Sequence, residues 1–264
     1  MASVEIVTIG TELLLGEIVD TNSAYLARRL RDLGLDLYRM TTVGDNPERI
    51  AQAVREALAR ADVVLTTGGL GPTVDDPTRQ AIAQAVGRPL VFSPQAWRMV
   101  QERYRARQCP INENARQQAY VPQGARLIAN PVGTAPGFIV ETPQGVVITL
   151  PGVPREMEAM FTQGVEPYLR ERFPQAGVLR VRRLVVEGVP EAEIDARIAD
   201  LEARANPTLG LMAKPNRVTL RLAAKAPTPE QAEAMLDALE AEVRARLDPH
   251  WPVHRAPAPE EASP

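Results

Sequence analysis

Three times before Gly87 a short apolar run gives way to a turn and then to a helix with one greasy face, and this alternation narrows the fold more than any other property of the chain. Residues 4–9 read as a buried strand ending at Gly10, followed by a loop through Thr11, Glu12 and Gly16. The helix predicted over 22–33 puts Leu26, Leu30 and Leu33 on one face and its arginines on another, and Gly34 closes it. A second strand over 35–43 leads to Asn46-Pro47, which opens a helix with Ile50, Val54, Ala57 and Leu58 inward. The third strand, 63–67, feeds a helix over 77–86 that buries Ala81, Ile82, Ala85 and Val86. Such a series specifies an α/β fold with a mostly parallel sheet and helices on both faces.

The third junction, Val63 to Thr78, is also the chemically richest. Its apolar run ends in Gly68, Gly69 and Gly71, passes Asp75 and Asp76, and enters a helix at Pro77. Glycines let backbone N–H groups approach a ligand, and a helix N-terminus favours an anion. Carboxylates beside an anion site imply a metal ion between them. The plainer reading is a tight turn with Asp76 as N-cap and Pro77 at the first helical position, which explains Asp76 but neither three glycines nor Asp75.

Beyond it, Ser93-Pro94 begins a polar helix reaching about Arg107, Pro110 breaks it, and a short helix runs to Gln118. Three short strands follow, 126–129, 137–141 and 146–150, the last two joined by a hairpin turn at 142–145. Leu150-Pro151-Gly152-Val153-Pro154 then enters a helix with Met157, Met160, Phe161 and Val165 on one face. The pattern resets near Phe173-Pro174. A first domain over 1–173 is therefore expected, then a small β-α-β-β-α domain over 178–248 and a disordered proline-rich tail over 249–264.

Several familiar sites are excluded. Val74 stands where a dinucleotide fingerprint needs glycine, and no glycine-lysine-serine/threonine triplet exists. Pro252 between His250 and His254 prevents a helical metal pair, leaving both as tail residues; Ala159 and Met160 break a Nudix-like start at Arg155-Glu156. A Ser–His–Asp hydrolase is unsupported. A net charge of −3 advertises no nucleic acid partner, and no run approaches membrane-spanning length. The single cysteine, Cys109, and a start without signal-peptide character point to a reducing cytoplasm.

What remains is a set of loops at the carboxyl ends of the predicted strands, where open α/β sheets bind ligands. Gly10-Thr11-Glu12, Gly44-Asp45-Asn46, Thr67 to Asp76 and Pro151 to Glu156 bring four carboxylate-bearing loops to one edge. Taken singly, Asp45 is also a turn residue, Glu12 a solvated loop carboxylate and Glu156 a complement to its helix dipole. The loop Asn130 to Gly137 adds Thr134 and free amides suited to phosphate or ribose.

Together, Ile9-Gly10-Thr11-Glu12-Leu13-Leu14-Leu15-Gly16, Thr67-Gly68-Gly69-Leu70-Gly71-Pro72-Thr73 with Asp75-Asp76, Gly133-Thr134-Ala135-Pro136-Gly137 and Leu150-Pro151-Gly152-Val153-Pro154 resemble the CinA (competence/damage-inducible protein A) family. The resemblance implies a three-layer molybdopterin-binding-like (MoaB/MogA-type) first domain and, over 185–226, a small KH-like domain. It implies metal-dependent cleavage of ADP-ribose, or a related nucleoside diphosphate derivative, to AMP and ribose 5-phosphate. Asp45, Asp76 and Glu156 would hold a divalent metal (Mg, Co or Mn), with potassium as an additional cofactor. The amides of Gly68, Gly69, Gly71 and Thr73 would cradle the diphosphate. Thr11, Glu12, Asn22 and Thr134 would orient ribose or base, Arg155 would balance the leaving phosphate, and Gly10, Thr67, Gly152 and Pro154 would line the same site. The partner is a small nucleotide, with a homodimer expected through the second domain, which shows no Gly-x-x-Gly loop for RNA. The amidase domain that often ends the family lies outside this sequence. Asp75, where cofactor enzymes of the wider fold have arginine, departs from the pattern. A molybdopterin-binding or adenylyltransferase-type enzyme and a non-catalytic nucleotide-binding regulator remain as alternatives.

Overall fold

The apolar run at the start becomes β1 (Ser3–Ile9), buried at every position after Ser3. In the computed structural model, which describes residues 2–73, 75–174 and 177–256, it lies between two parallel neighbours. A single helical turn, α1 (Thr11–Leu14), occupies part of the expected loop, then α2 (Thr21–Asp32) leads to β2 (Asp36–Val43) on one side of β1. The chain next passes through α3 (Pro47–Leu58) to β3 (Val63–Thr67) on the other side of β1. Because parallel crossovers are right-handed, the change of direction puts α2 and α3 on opposite faces of the sheet. It also opens a crevice at the carboxyl ends of β1 and β3, the place where such sheets take ligands.

Helix α4 (Thr78–Ala85) joins α3 on its face: Ile50, Val54 and Ile82 pack with Val7, Ile9, Val64 and Val147 in one buried cluster. Each such side chain contributes about 1.5–3 kcal/mol by leaving water. Two three-residue strands, β4 (Leu90–Phe92) and β5 (Tyr120–Pro122), form a separate antiparallel pair that the sequence did not announce. Between them run α5 (Pro94–Ala106) and a 3-10 turn over Glu113–Ala119, and the Phe92 and Tyr120 rings meet edge-on at 5.5 Å.

The sheet is completed by β6 (Arg126–Ile128), β7 (Gly137–Glu141) and β8 (Val146–Leu150) in the order β2-β1-β3-β8-β7-β6. Strand β8 is parallel to β3, whereas β7 and β6 are antiparallel additions through the hairpin at Thr142 and Gly145. Helix α6 (Pro154–Met160) continues through a π turn (Phe161–Val165) into α7 (Glu166–Arg172). Tyr25 of α2 meets Phe161 edge-on at 6.1 Å, so α2 and this composite helix cover the face opposite α3.

The chain divides after Pro174, apart from the Asp32–Gly34 turn, which groups with the second unit. That unit comprises β9 (Val178–Glu187), α8 (Glu191–Glu202), β10 (Thr208–Lys214), β11 (Arg217–Ala226), α9 (Pro229–Arg246) and β12 (Val253–Arg255). Its antiparallel sheet, β10-β11-β9-β12, buries Leu184, Val186, Leu220 and Leu222 against Ile194, Ile198, Leu236 and Val243 of the helices. The expectation of a disordered tail from residue 249 is corrected at β12, which contains His254 and pairs with β9 while Arg255 ion-pairs with Glu240 at 2.8 Å. The rest of that tail, 257–264, lies outside the described residues. Among the described residues no helix is long and apolar enough to cross a membrane.

Candidate functional site at the carboxyl edge of the sheet

The glycine loop after β3 is bent by necessity. Gly68 has φ +114° and Gly69 φ +62°, and a Cβ on Gly68 would stand 2.0 Å from the Ile9 carbonyl oxygen. The ends of β1 and β3 therefore approach more closely than any side chain permits. The loop after β8 closes on the same point: Gly68 N–H donates to Leu150 O at 3.1 Å, and a Cβ on Gly152 would lie 3.3 Å from Gly68 Cα. Asn22 binds this junction from α2, donating to Thr67 Oγ1 (3.0 Å) and Gly152 O (2.8 Å), while Thr67 Oγ1 donates to Pro151 O (2.8 Å). Asn22 Oδ1 is buried with no hydrogen-bond partner among the described residues. Thr67, Gly68, Asn22 and Gly152 thus meet at one junction.

Asp76 does not cap its helix. Helix α4 begins at Thr78, with Pro77 in the capping position and no side-chain bond there. The Asp76 carboxylate turns back onto its own loop, where Oδ1 accepts from Gly71 N (2.8 Å) and Oδ2 from Thr73 N (2.9 Å) and Thr73 Oγ1 (2.6 Å). Two residues given no role in the sequence analysis finish the loop. Thr78 Oγ1 donates to Gly68 O (2.9 Å), and Arg79, 4% exposed, donates to Leu70 O (2.7 Å) and Gly71 O (2.5 Å). Burial lowers the Arg79 guanidinium to about 10 against the opposing pull of Asp76. The N–H groups of Gly69 and Leu70 have no acceptor among the described residues.

A cleft of about 380 Å³ opens beside this loop, lined among others by Asp45, Thr73, Asp75, Asp76 and Arg79. That size suits a small ligand. Asp45 comes from the turn after β2 and is locked to α1, since Thr11 N donates to Asp45 Oδ2 (2.8 Å) and Asp45 N to Thr11 Oγ1 (3.1 Å). Glu12 curls over Gly10, whose Cβ would fall 2.5 Å from Glu12 Oε1.

Glu156 faces a different loop. Its Oε2 accepts from Asn130 Nδ2 (2.7 Å), and a Cβ on Gly133 would lie 1.8 Å from the same oxygen. Asn130 Oδ1 in turn accepts from the N–H groups of Val132 (3.0 Å) and Gly133 (2.6 Å), while Arg103 donates to both residues' carbonyls. Gln118 Nε2 donates to Thr134 Oγ1 (3.1 Å). Pro154 opens α6 and is exposed, as is Arg155. The three carboxylates read together as metal ligands are consequently not assembled. Asp45 and Asp76 share the cleft, Glu156 is engaged by Asn130, and no three His, Cys, Asp or Glu side chains among the described residues form a metal-holding group.

Comparison with known proteins agrees with this architecture. Residues 5–171 match the family described as "Probable molybdopterin binding domain", and residues 181–251 match the "Damage-inducible protein CinA KH domain". A CinA-like protein of Parasynechococcus marenigrum is 44% identical over 94% of this chain and 60% of its own length. One from Dictyoglomus thermophilum is 43% identical over 92% and 59%. The chain thus spans about three fifths of the curated relatives it matches. The crystal structure of CinA from Thermoplasma acidophilum superposes with a TM-score of 0.58 at 35% identity, covering 64% of this chain and 98% of that one.

Proposed function

The chain belongs to the CinA family, with a three-layer molybdopterin-binding-like first domain, and from that premise we propose that it hydrolyses the pyrophosphate bond of ADP-ribose or a related nucleoside diphosphate derivative. The observation behind this reading is the cleft in which Asp45 and Asp76 stand beside a glycine loop with two N–H groups that have no acceptor among the described residues. In the proposal, the Gly69 and Leu70 amides receive diphosphate oxygens, and the buried Asn22 Oδ1 accepts from a ribose hydroxyl or a base N–H. Thr11, Glu12 and Thr134 border the nucleoside, and Arg155 meets the leaving phosphate.

The donor set fits a hard divalent ion. Such ions in nucleotide sites take one or two carboxylates and complete their shell with phosphate oxygens and water. Asp45 and Asp76 would supply those carboxylates, and Glu156 would serve by fixing the loop that contains Thr134. Asp45 and Asp76 would hold Mg, Mn or Co there, and the chemistry supplied would be Lewis-acid polarisation of a phosphoryl oxygen and acidification of water. Potassium as second cofactor, a homodimer and a cytoplasmic setting complete the proposal.

The test is turnover of ADP-ribose and a panel of nucleoside diphosphate derivatives with each divalent ion, with and without potassium. The Asp76→Ala variant is expected to lose about 100-fold or more in kcat/KM, the order of effect of removing a charge-stabilising group from a reacting centre. Undiminished metal-dependent hydrolysis by that variant would sink the assignment. The family-model match favours one second reading, molybdopterin handling on the same loops. Molybdopterin-dependent activity without ADP-ribose cleavage would select it.

A further inference from the structure

Arg79 is electrostatically out of place. It lies in the first turn of α4, where the helix dipole disfavours a cation. It is almost fully buried, yet it makes no ion pair among the described residues. Buried arginines are rarely left unpaired, because removing a charge from water costs several kcal/mol, on the order of the largest single terms in folding. The carboxylate nearest in sequence is Asp76, which directs its oxygens to Gly71 and Thr73. What the guanidinium does hold is the underside of the glycine loop: two consecutive carbonyls, Leu70 O and Gly71 O. In a trans peptide the C=O and the following N–H point in opposite directions. Fixing Leu70 C=O on Arg79 therefore aims Gly71 N–H away from Arg79, toward Asp76 Oδ1 at 2.8 Å.

Building on the nucleotide-site reading above, we infer that Arg79 is the positioning and selectivity residue of the cleft: it holds the glycine loop by two of its carbonyls and supplies the one cationic side chain among the described residues lining the cleft, which makes the cleft a seat for a phosphoanhydride. The other charged side chains of the cleft wall are Asp45, Asp75 and Asp76. Without Arg79 it is an acidic surface that would repel a diphosphate. With Arg79 one cation lies under the amides, shielded from water, where its field is screened least. A neutral ligand of the same size gains nothing from this arrangement, so charge rather than shape separates the ligands the cleft accepts.

Two properties of the side chain can be separated. Lysine keeps the charge but loses the two-pronged fork, whereas glutamine keeps a hydrogen-bond donor but loses the charge. The experiment measures binding of inorganic pyrophosphate and of ADP to the full chain by calorimetry, in the presence of a divalent ion and in EDTA, for wild type, Arg79→Lys and Arg79→Gln. Thermal melts establish that each variant is folded. The expected result is affinity within about threefold of wild type for Arg79→Lys and at least about tenfold weaker for Arg79→Gln, for both ligands. Equal losses in the two variants would assign Arg79 to loop structure alone and overturn the inference, as would unchanged binding in Arg79→Gln. If Arg79→Gln does not fold, Arg79→Lys decides: a loss of tenfold or more overturns the charge role, and near-wild-type affinity upholds it. Because binding is read without turnover, a wild type that binds but does not cleave ADP-ribose defeats the hydrolase reading and leaves this one standing. A wild type that binds neither ligand defeats both.

Discussion

At Gly68 three constraints coincide: a positive φ, the Ile9 carbonyl where a Cβ would stand, and the Gly152 loop against its Cα. Gly68→Ala meets backbone on one side and an unfavourable dihedral in itself, and neither can give way without separating β1 from β3. We expect a loss of about 2–4 kcal/mol in chemical unfolding, the sum of a strained dihedral and an overpacked contact. Gly16, also at positive φ but with open space where its Cβ would be, should lose only the dihedral part, about 1 kcal/mol. The sequence showed that glycine was needed near residue 68 but not which neighbour required it. The sequence leaves Asp76 open as a ligand-facing carboxylate or a cap, and the structure removes the cap: its carboxylate clamps its own loop, which uses the same residue types at the same spacing. Arg79 did leave a signal, a cation in the first turn of a helix, where local electrostatics and the residue disagree.

Among elements, those whose stability is intrinsic were the ones that could be read in advance. Strands β1, β3 and β8 are mostly apolar runs buried on both faces, and α3 opens with Asn46-Pro47, whose Asn46 Oδ1 accepts from Arg49 N at 3.0 Å. Asn46→Ala should cost about 1 kcal/mol of stability in thermal or urea unfolding, as loss of a helix cap does. Elements stabilised from outside were not legible. Strands β4 and β5 are too short to show a period and exist by pairing with each other, with Phe92 against Tyr120. Strand β12 carries histidine and arginine, and it is held by β9 and by Glu240. The same holds for the loop 130–135: its shape comes from Asn130, Arg103 and Glu156, three residues far apart in sequence.

For the molecule as a whole, dependence on pH has an identifiable source in the second unit. Glu240 is pushed up by burial, but hydrogen bonds from Arg255, Arg244 and Arg182 outweigh that and bring it down to about 2, against an ordinary 4.5. The folded chain therefore binds this proton less readily than the unfolded chain. The associated stability is fully present above about 4.5 and is lost as pH falls toward 2. Glu240→Gln should lower stability at neutral pH by about 1–3 kcal/mol, the range for hydrogen bonds to a charged group. It should also flatten the decline of stability between pH 5 and pH 2; an undiminished slope in urea titrations of the full chain would remove Glu240 from the account.

Strand β8 pairs with β3 although some eighty residues of chain separate them, Val63 lying beside Val146 and Leu65 beside Ile148. On the ribosome that interval is time. While residues 68–145 are being synthesised, β3 presents an unpartnered apolar edge, the condition under which growing chains aggregate or recruit chaperones. The glycine loop is already made but has no far wall, because Leu150, Pro151 and Gly152 have yet to emerge. Under the proposed function, a chain ending before about residue 150 would lack a nucleotide site, and ligand would stabilise the domain only once its central sheet has closed.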